Sequence, residues 1–294
     1  QERINCLPAT LLDEKICGVK WVSCFPPNPV RFGTQNLSAI FILSNIVNGY
    51  PICVMDGTLC SNMRVAAMGA AAADKLARKD VESIGFIGAG EQAKMHLIGM
   101  KSVRPCLKIC KVASKYHAEE DNFISSLQKI LPDMKFVACD TVMEKAIYDS
   151  DIIVTATSAQ APLLKADWIK NGAFYSHIGG WEDEYKVVQM ADKIICDDWN
   201  TVKHRTQTVS RCYKDGIIKD EDIYGNIVDI LDGTKPGREN DNEFIYFDAV
   251  GLAYVDVSIA YAMYKHAVNQ GFGKELALQE DMIFDKDLEG KIVL

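Results

Sequence analysis

Short apolar runs and amphipathic segments alternate through the middle of the chain. Between residues 81 and 247, the apolar runs predict strands at 82–87, 107–112, 135–138, 151–156, 173–178 and 193–197. Segments with apolar residues at helical spacing lie between them and predict helices at 91–102, 116–131, 141–147 and 184–190. Strands that alternate with helices in this way form a parallel sheet covered on both faces. We therefore predict a doubly wound α/β domain.

The two ends of the chain have a different pattern. Alternating residues predict strands at 18–22, 37–43 and 50–55, and an Ala- and Met-rich helix at 63–78 with Ser61 as its cap. The proline-rich segment 25–33 is predicted to be a loop. After a polar, turn-rich stretch at 200–245, a short strand precedes a long helix at 253–268. We expect this last helix to pack against residues 1–75.

A glycine-rich turn follows the first strand of the alternating region. Gly88 permits a sharp turn, Gly90 lets a pyrophosphate approach the backbone, and Ala93 replaces the third glycine where helix packs on strand. The start of the following helix offers free N–H groups to a phosphate. This order of strand, turn and helix predicts a dinucleotide-binding site, which also includes Ala89, Glu91 and Gln92.

Composition narrows the possible partners and the compartment. The 294 residues carry a net charge of −8, which supplies no basic face for nucleic acid. There is neither an apolar run long enough to cross a membrane nor a signal peptide, so we expect a cytoplasmic protein. The ten cysteines form no CxxC pair and are expected to be free thiols, with no metal site. Because the chain begins without Met in what reads as mid-domain sequence, we expect further residues upstream.

Two strand ends carry candidate active-site residues, because ligands of open α/β sheets bind at the carboxyl ends of the strands. At the first, Thr155, Ala156 and Thr157 leave room for the ribose and ring of a cofactor. An ordinary strand-ending turn is the alternative interpretation.

The second strand end has a Gly-Gly pair followed by acids. Glu182 and Asp183 are candidates for general acid/base catalysis if burial moves their pKa values toward neutrality. The alternative is an acidic first turn of a helix, which the helix dipole favours. His177 is a rival proton carrier.

Four basic residues are candidates for binding a substrate carboxylate: Arg3, Lys20, Arg31 and Arg64. Arg64 lies among small apolar residues, where an unpaired charge is costly to bury, so we expect it to meet a protein acid or a ligand anion. The same argument applies to Lys20, although its side chain can also extend to solvent.

The segment after the second strand of the nucleotide-binding unit bears on the choice between NAD and NADP. An acid there would bind the ribose diol of NAD. Residues 111–115 contain no acid. Lys111 and Lys115 are the two ends of this segment, and Ser114 directly precedes Lys115. A hydroxyl and a cation would hold the additional phosphate of NADP, so this segment favours NADP.

Six segments in order resemble the ornithine cyclodeaminase/μ-crystallin family: 18–21, 50–51, 61–67, 88–93, 151–157 and 237–251. The resemblance implies a Rossmann-type doubly wound domain at 76–252, inserted into a smaller α+β substrate and dimerisation domain made of 1–75 and 253–294. It also implies a homodimer, a cofactor site that includes Val250 and Gly251, and substrate-carboxylate binding by Lys20 and Arg64, with Arg3 and Arg31 as further candidates.

The position after the Gly-Gly pair separates activities within the family. Cyclodeaminases carry their catalytic Asp directly there, whereas this chain has Trp181, which argues against ornithine cyclisation by that mechanism. Segments 19–28 and 191–199 look most like an opine-type subgroup that makes diaminopropionate in siderophore pathways. In that subgroup the acid lies one position later, which is Glu182 here, with Asp183 as the neighbouring alternative.

Together these features predict an NAD(P)-dependent dehydrogenase that transfers a hydride at the α-carbon of an amino acid or opine. Lys20 and Arg64 would orient the carboxylate, and Lys20, Glu182 or Asp183 would move protons. The direction of reaction is open, because the same site can reduce an imine. A redox-neutral cyclodeaminase and a non-catalytic cofactor-binding protein, like the lens relatives of the family, are the alternatives.

Overall fold

The structure, a computed structural model, describes residues 2–276. Its strands are β1 (Arg3–Leu11), β2 (Ile16–Cys24), β3 (Leu37–Asn45), β4 (Pro51–Asp56), β5 (Ser83–Ile87), β6 (Ile109–Ala113), β7 (Lys135–Ala138), β8 (Ile152–Thr155), β9 (Gln160–Leu164), β10 (Phe174–His177), β11 (Trp181–Asp183), β12 (Lys193–Cys196), β13 (Ile223–Asn226) and β14 (Ile245–Asp248). Its α-helices are α1 (Asn28–Phe32), α2 (Thr58–Leu76), α3 (Glu91–Val103), α4 (His117–Leu127), α5 (Met143–Ile147), α6 (Tyr185–Gln189), α7 (Trp199–Val202), α8 (Thr208–Lys214), α9 (Ile227–Leu231) and α10 (Ala253–Asn269).

The first four strands form an antiparallel sheet in the order β1-β2-β3-β4. Successive residues of a strand point to opposite faces, so Lys20 lies on the inner face beside Phe41, and Trp21 lies on the outer face. The inner face packs against α10, where Phe41 and Leu43 share a buried cluster with Val257. The prediction that the last helix packs against the first part of the chain is therefore confirmed.

Eight strands form the second sheet, in the order β13-β12-β14-β10-β8-β5-β6-β7, and all their pairings are parallel. Strand β5 is buried along its whole length, as expected when helices cover both faces. From β5 the chain proceeds to β6 and β7 on one side and then crosses to β8 on the other. The crevice between β5 and β8 is thus a topological switch point, where ligands of such sheets bind. The predicted Rossmann-type fold is confirmed.

The predicted start of α2 was wrong. The helix begins at Thr58, because the Asp56 carboxylate accepts hydrogen bonds from the Thr58 backbone N–H (3.2 Å) and hydroxyl (2.8 Å). Ser61 therefore lies inside the helix instead of capping it, and its side chain accepts a hydrogen bond from Lys20. Sequence reasoning also missed β1, the small β9–β11 sheet, and the short elements α7, α8, α9 and β13 between residues 199 and 231.

The structure also bears on the predictions for the cysteines, the proline-rich segment and membrane-spanning helices. All ten cysteines are free thiols, as expected. The proline-rich segment 25–33 contains the one-turn helix α1 within its loop. No helix in the described part of the chain combines the length and apolarity needed to cross a membrane. The predicted substrate domain includes 277–294, which lie outside the described residues.

Candidate active site

The turn between β5 and α3 has the geometry of a phosphate cradle. Gly88 adopts a φ of +103°, and a Cβ there would lie 2.6 Å from the carbonyl oxygen of Ala156, so only glycine fits. By contrast, no heavy atom lies within 4 Å of a Cβ built on Gly90, which leaves the turn open on that side. No side chain among the described residues caps the N-terminus of α3. The residues present therefore fit the pyrophosphate of a dinucleotide.

Gln92 links this turn to the substrate-side helix. Its side-chain amide N–H donates a hydrogen bond to the side-chain Oδ1 of Asn62 on α2, at 2.8 Å. Glu91 is exposed and accepts a hydrogen bond from Lys94. The side chains of the predicted cofactor residues Glu91 and Gln92 thus contact protein groups, while their backbone N–H groups belong to the uncapped first turn of α3.

At the end of β6, the structure places an acid that sequence reasoning missed. The Ser114 hydroxyl donates a hydrogen bond to the Glu119 carboxylate in the first turn of α4. Lys115 is exposed, with its Nζ 5.1 Å from the centre of the Tyr116 ring. Lys111 donates to the Tyr148 carbonyl oxygen. Glu119 was missed because it lies five residues beyond Ser114, outside the segment 111–115 in which an acid was sought.

Glu182 joins the ends of β8 and β10. Its fully buried carboxylate accepts hydrogen bonds from the Thr155 hydroxyl (2.8 Å), the Thr157 backbone N–H (2.5 Å) and the Gly179 backbone N–H (2.8 Å). Gly179 must be glycine here, since a Cβ would lie 2.3 Å from the Glu182 carboxyl carbon. Glu182 thereby fixes the β8 end, which forms one wall of the β5–β8 crevice.

Asp183 and His177 lie in the same buried cluster. Asp183 accepts hydrogen bonds from Thr208 (2.6 Å) and Tyr246 (3.1 Å), and burial raises its pKa to about 6. The Nδ1 of His177 lies 2.8 Å from the Asp248 carboxylate, and its Nε2 lies 3.5 Å from Glu182. Burial by itself lowers the pKa of His177, but Asp248 and the other two carboxylates raise it to about 9. Three acids therefore surround one imidazolium at the carboxyl ends of the strands.

Lys20 and Arg64 come together on the other side of the site, through an acid from α10. Asp256 lies 2.7 Å from the Lys20 Nζ and 2.7 Å from the Arg64 Nε, and all three side chains are buried. The prediction that Arg64 meets an anion is confirmed, with a protein acid as that anion. Burial and the neighbouring Arg64 charge lower the pKa of Lys20, although Asp256 opposes this shift. We call these three side chains the cation triad.

The loop after β14 brings the cation triad to the parallel sheet. Gly251 has a φ of +90°, and a Cβ there would lie 2.4 Å from an Arg64 guanidinium nitrogen. The Asp197 carboxylate at the end of β12 holds this loop, because it accepts the N–H groups of Val250 (2.9 Å) and Gly251 (2.6 Å). Burial raises the pKa of Asp197 to about 6. The Arg64 guanidinium thus lies against the edge of the sheet where a substrate is expected.

The other two predicted cations lie elsewhere. Arg31 has a side chain that is 62% exposed and pairs with Glu2 at 3.3 Å. Arg3 is exposed at the start of β1, opposite Cys24 in the antiparallel sheet. The structure therefore brings together Lys20 and Arg64, with Asp256 as a member that sequence reasoning missed. The first turn of an amphipathic helix was the only available signal for Asp256, and that position does not distinguish it from an ordinary surface acid.

The sequence matches a known protein family over nearly its whole length. The model of the ornithine cyclodeaminase/mu-crystallin family matches residues 1–271. An N-((2S)-2-amino-2-carboxyethyl)-L-glutamate dehydrogenase of Staphylococcus aureus is 30% identical over 278 residues, which cover 94% of this chain and 82% of that relative.

Two solved structures are also similar over nearly the whole chain. Delta(1)-pyrroline-2-carboxylate reductase of Thermococcus litoralis, in complex with NADH and L-proline, has a TM-score of 0.89 and 29% identity, covering 93% of this chain and 84% of that one. An archaeal alanine dehydrogenase dimer with bound NAD has a TM-score of 0.87 and 30% identity, covering 95% and 85%. The chain belongs to the ornithine cyclodeaminase/mu-crystallin family.

Proposed function

We propose that this protein is an NAD(P)-dependent oxidoreductase that transfers a hydride at the α-carbon of an amino acid or opine. The observation that carries the proposal is the cation triad, which lies against Gly251 at the edge of a sheet with an open dinucleotide turn. The named activities of the relatives support it, because alanine, proline and the glutamate opine all carry a carboxylate on the nitrogen-bearing carbon.

The charges of the cation triad suit one substrate carboxylate. Lys20 and Arg64 supply two positive charges and Asp256 one negative charge, so one positive charge is left over. A buried net charge is costly, and a carboxylate ligand would remove it. Arg64 has a planar fork that can bind a carboxylate at two points, which would fix the direction of the α-hydrogen.

A bound nicotinamide supplies the hydride acceptor, and residues of this chain handle the protons. Loss of hydride from the α-carbon and of a proton from the substrate nitrogen gives an imine. Water adds to that imine, and cleavage of the carbon–nitrogen bond releases an amine and a 2-oxo acid. Burial and the Arg64 charge lower the pKa of Lys20, which favours it as the group that exchanges the proton with the substrate nitrogen. Glu182 and Asp183 remain candidates for activating water, and their present hydrogen bonds favour a positioning role.

The substrate we propose is N-(2-amino-2-carboxyethyl)-L-glutamate, which oxidative cleavage converts to diaminopropionate and 2-oxoglutarate. The S. aureus relative supports this choice. Reduction of a cyclic imine is the second candidate, supported by the T. litoralis reductase. Trp181 stands where a cyclodeaminase has its acid, and it stacks with Arg211 at 4.6 Å, so this position supplies no carboxylate for ammonia release.

A substrate panel tests the activity. With NAD or NADP, nicotinamide absorbance is expected to rise on addition of the opine, with a higher kcat/KM than for L-alanine or L-proline. Turnover only in reverse, with pyrroline-2-carboxylate and reduced cofactor, would select the reductase. Ammonia release from ornithine without net reduction would identify a cyclodeaminase, and cofactor binding without turnover of any compound would favour a non-catalytic protein.

Arg64→Lys tests the carboxylate site. The variant keeps the positive charge and loses the planar fork, so KM is expected to rise at least tenfold, about 1.4 kcal/mol, with a smaller change in kcat. Lys75→Ala is the matched control, because Lys75 is 46% exposed on the same helix and should leave KM unchanged. A wild-type KM in Arg64→Lys would show that Arg64 does not bind the substrate carboxylate.

The buried imidazolium predicts a pH dependence of stability. The pKa of His177 is about 9 in the folded state and 6.5 in the unfolded state, so its contribution is complete below pH 6.5 and lost as the pH rises through 9. Urea unfolding should show a free energy of unfolding that falls across this window, and His177→Gln should flatten the slope. His117→Gln, at a 56% exposed side chain, is the control. An equal slope in both variants would contradict the assignment.

We also propose a homodimer through the outer face of the antiparallel sheet. This face exposes large apolar side chains, with Trp21 at 53%, Ile40 at 46% and Val54 at 62% exposure. Monomers rarely leave such a contiguous patch in water. The archaeal relative is described as a dimer, which supports the proposal.

Ile40→Glu tests this interface. A charge in the centre of the outer face should convert the dimer to a monomer, as measured by light scattering after gel filtration. Ile130→Glu is the control, since Ile130 is 56% exposed in the turn after α4, away from the antiparallel sheet. A wild-type mass equal to one chain, or an unchanged dimer in Ile40→Glu, would contradict the proposal.

A further inference from the structure

Two adjacent acids at the start of α4 have different environments. Glu120 is fully buried, and its carboxylate accepts backbone N–H groups from Ser114 (3.0 Å), Asp140 (3.0 Å) and Thr141 (2.8 Å). Glu119 is exposed, and its carboxylate accepts the Ser114 hydroxyl. Glu120 is therefore part of the buried hydrogen-bond network that supports the backbone, whereas Glu119 presents its charge at the surface.

Glu120 makes this corner of the sheet rigid. It ties the end of β6 to the loop after β7, where Asp140 and Thr141 adopt φ values of +52° and +63°. Non-glycine residues rarely adopt such angles, so the backbone there depends on the bonds that hold it. Because Glu119 is the neighbouring residue and is itself bound to Ser114, its carboxylate has a defined place beside the β6 end.

That place adjoins the dinucleotide turn. Strands β5 and β6 pair so that Ile87 lies opposite Ala113. Gly88 directly follows β5, and Ser114 directly follows β6. The Gly88 backbone N–H donates to the Ala113 carbonyl oxygen at 2.8 Å, which holds the two strand ends together. In a nucleotide-binding βαβ unit, an acid beside the second strand end binds the adenosine ribose diol.

The neighbouring cations do not neutralise the Glu119 carboxylate beside Ser114. Lys94 is bound to Glu91 (2.9 Å) and Asn122 (2.8 Å), and Lys111 donates to the Tyr148 carbonyl oxygen. Lys115 is the exposed cation closest in sequence, and its Nζ lies over the Tyr116 ring. A phosphate on the ribose would meet the Glu119 carboxylate before it could accept the Ser114 hydroxyl.

We propose that Glu119 selects NAD over NADP, by accepting a hydrogen bond from the 2′-hydroxyl of the adenosine ribose and repelling a 2′-phosphate. This specificity role rests on the proposed NAD(P)-dependent function. It reverses the preference that residues 111–115 suggest, because the deciding acid comes from the following helix and not from the strand end. Lys115 then faces solvent and does not hold a phosphate.

Cofactor binding without substrate tests this role. The dissociation constants of NADH and NADPH are measured by nicotinamide fluorescence at one fixed ionic strength. The wild-type protein should bind NADH at least tenfold more tightly than NADPH. Glu119→Gln keeps the side-chain length and removes the charge, so it should reduce that ratio at least tenfold, mainly through tighter NADPH binding.

Asp121→Asn is the matched control, because Asp121 is an exposed acid two residues further along the same helix, with a 65% exposed side chain. It should leave the ratio unchanged, because side chains two positions apart on a helix do not share a face. Equal or tighter NADPH binding by the wild type, or equal shifts in both variants, would overturn the role of Glu119 and leave the oxidoreductase proposal intact. If the protein binds neither reduced cofactor, the proposed function fails together with this inference.

Discussion

The cation triad is the interaction on which the arrangement of the site depends. Lys20 comes from the antiparallel sheet, Arg64 from α2 and Asp256 from α10, so three distant parts of the chain meet in one buried group of charges. Removing Asp256 would leave two buried cations without their shared partner, which costs several kcal/mol. The return of α10 to the first sheet is therefore both a packing feature and an electrostatic requirement.

A second group of buried charges shapes the opposite wall. Glu182 fixes the ends of β8 and β10, and His177 lies among Glu182, Asp183 and Asp248. Hydrogen-bond donors hold the carboxylates of Glu182 and Asp183 in place, so this part of the carboxyl edge of the sheet has a fixed shape before any ligand binds. Such preorganisation is what orientation of a substrate against a cofactor requires. Gly251, packed against Arg64, brings this wall and the cation triad together.

Hydrophobic patterning predicted most of the fold correctly because a buried parallel strand leaves a strong local signal. Strands β5 and β8 are mostly apolar and buried along their whole length, and the turn at Gly88 directly follows β5. The errors lie where local signals compete. Ser61 resembles a helix cap, but α2 begins three residues earlier, where Asp56 accepts the Thr58 N–H. The polar segment 200–245 contains short helices that its residue pattern does not reveal.

The sequence by itself determined the class of the protein: a dinucleotide turn in a doubly wound sheet, enclosed by chain ends that carry buried cations. Those features depend on residue type and short spacing, which are local properties. Tertiary structure alone decided which charges meet. Asp256 lies 192 positions beyond Arg64 and 236 positions beyond Lys20. Pairings of this kind depend on how elements pack, and no local pattern encodes them.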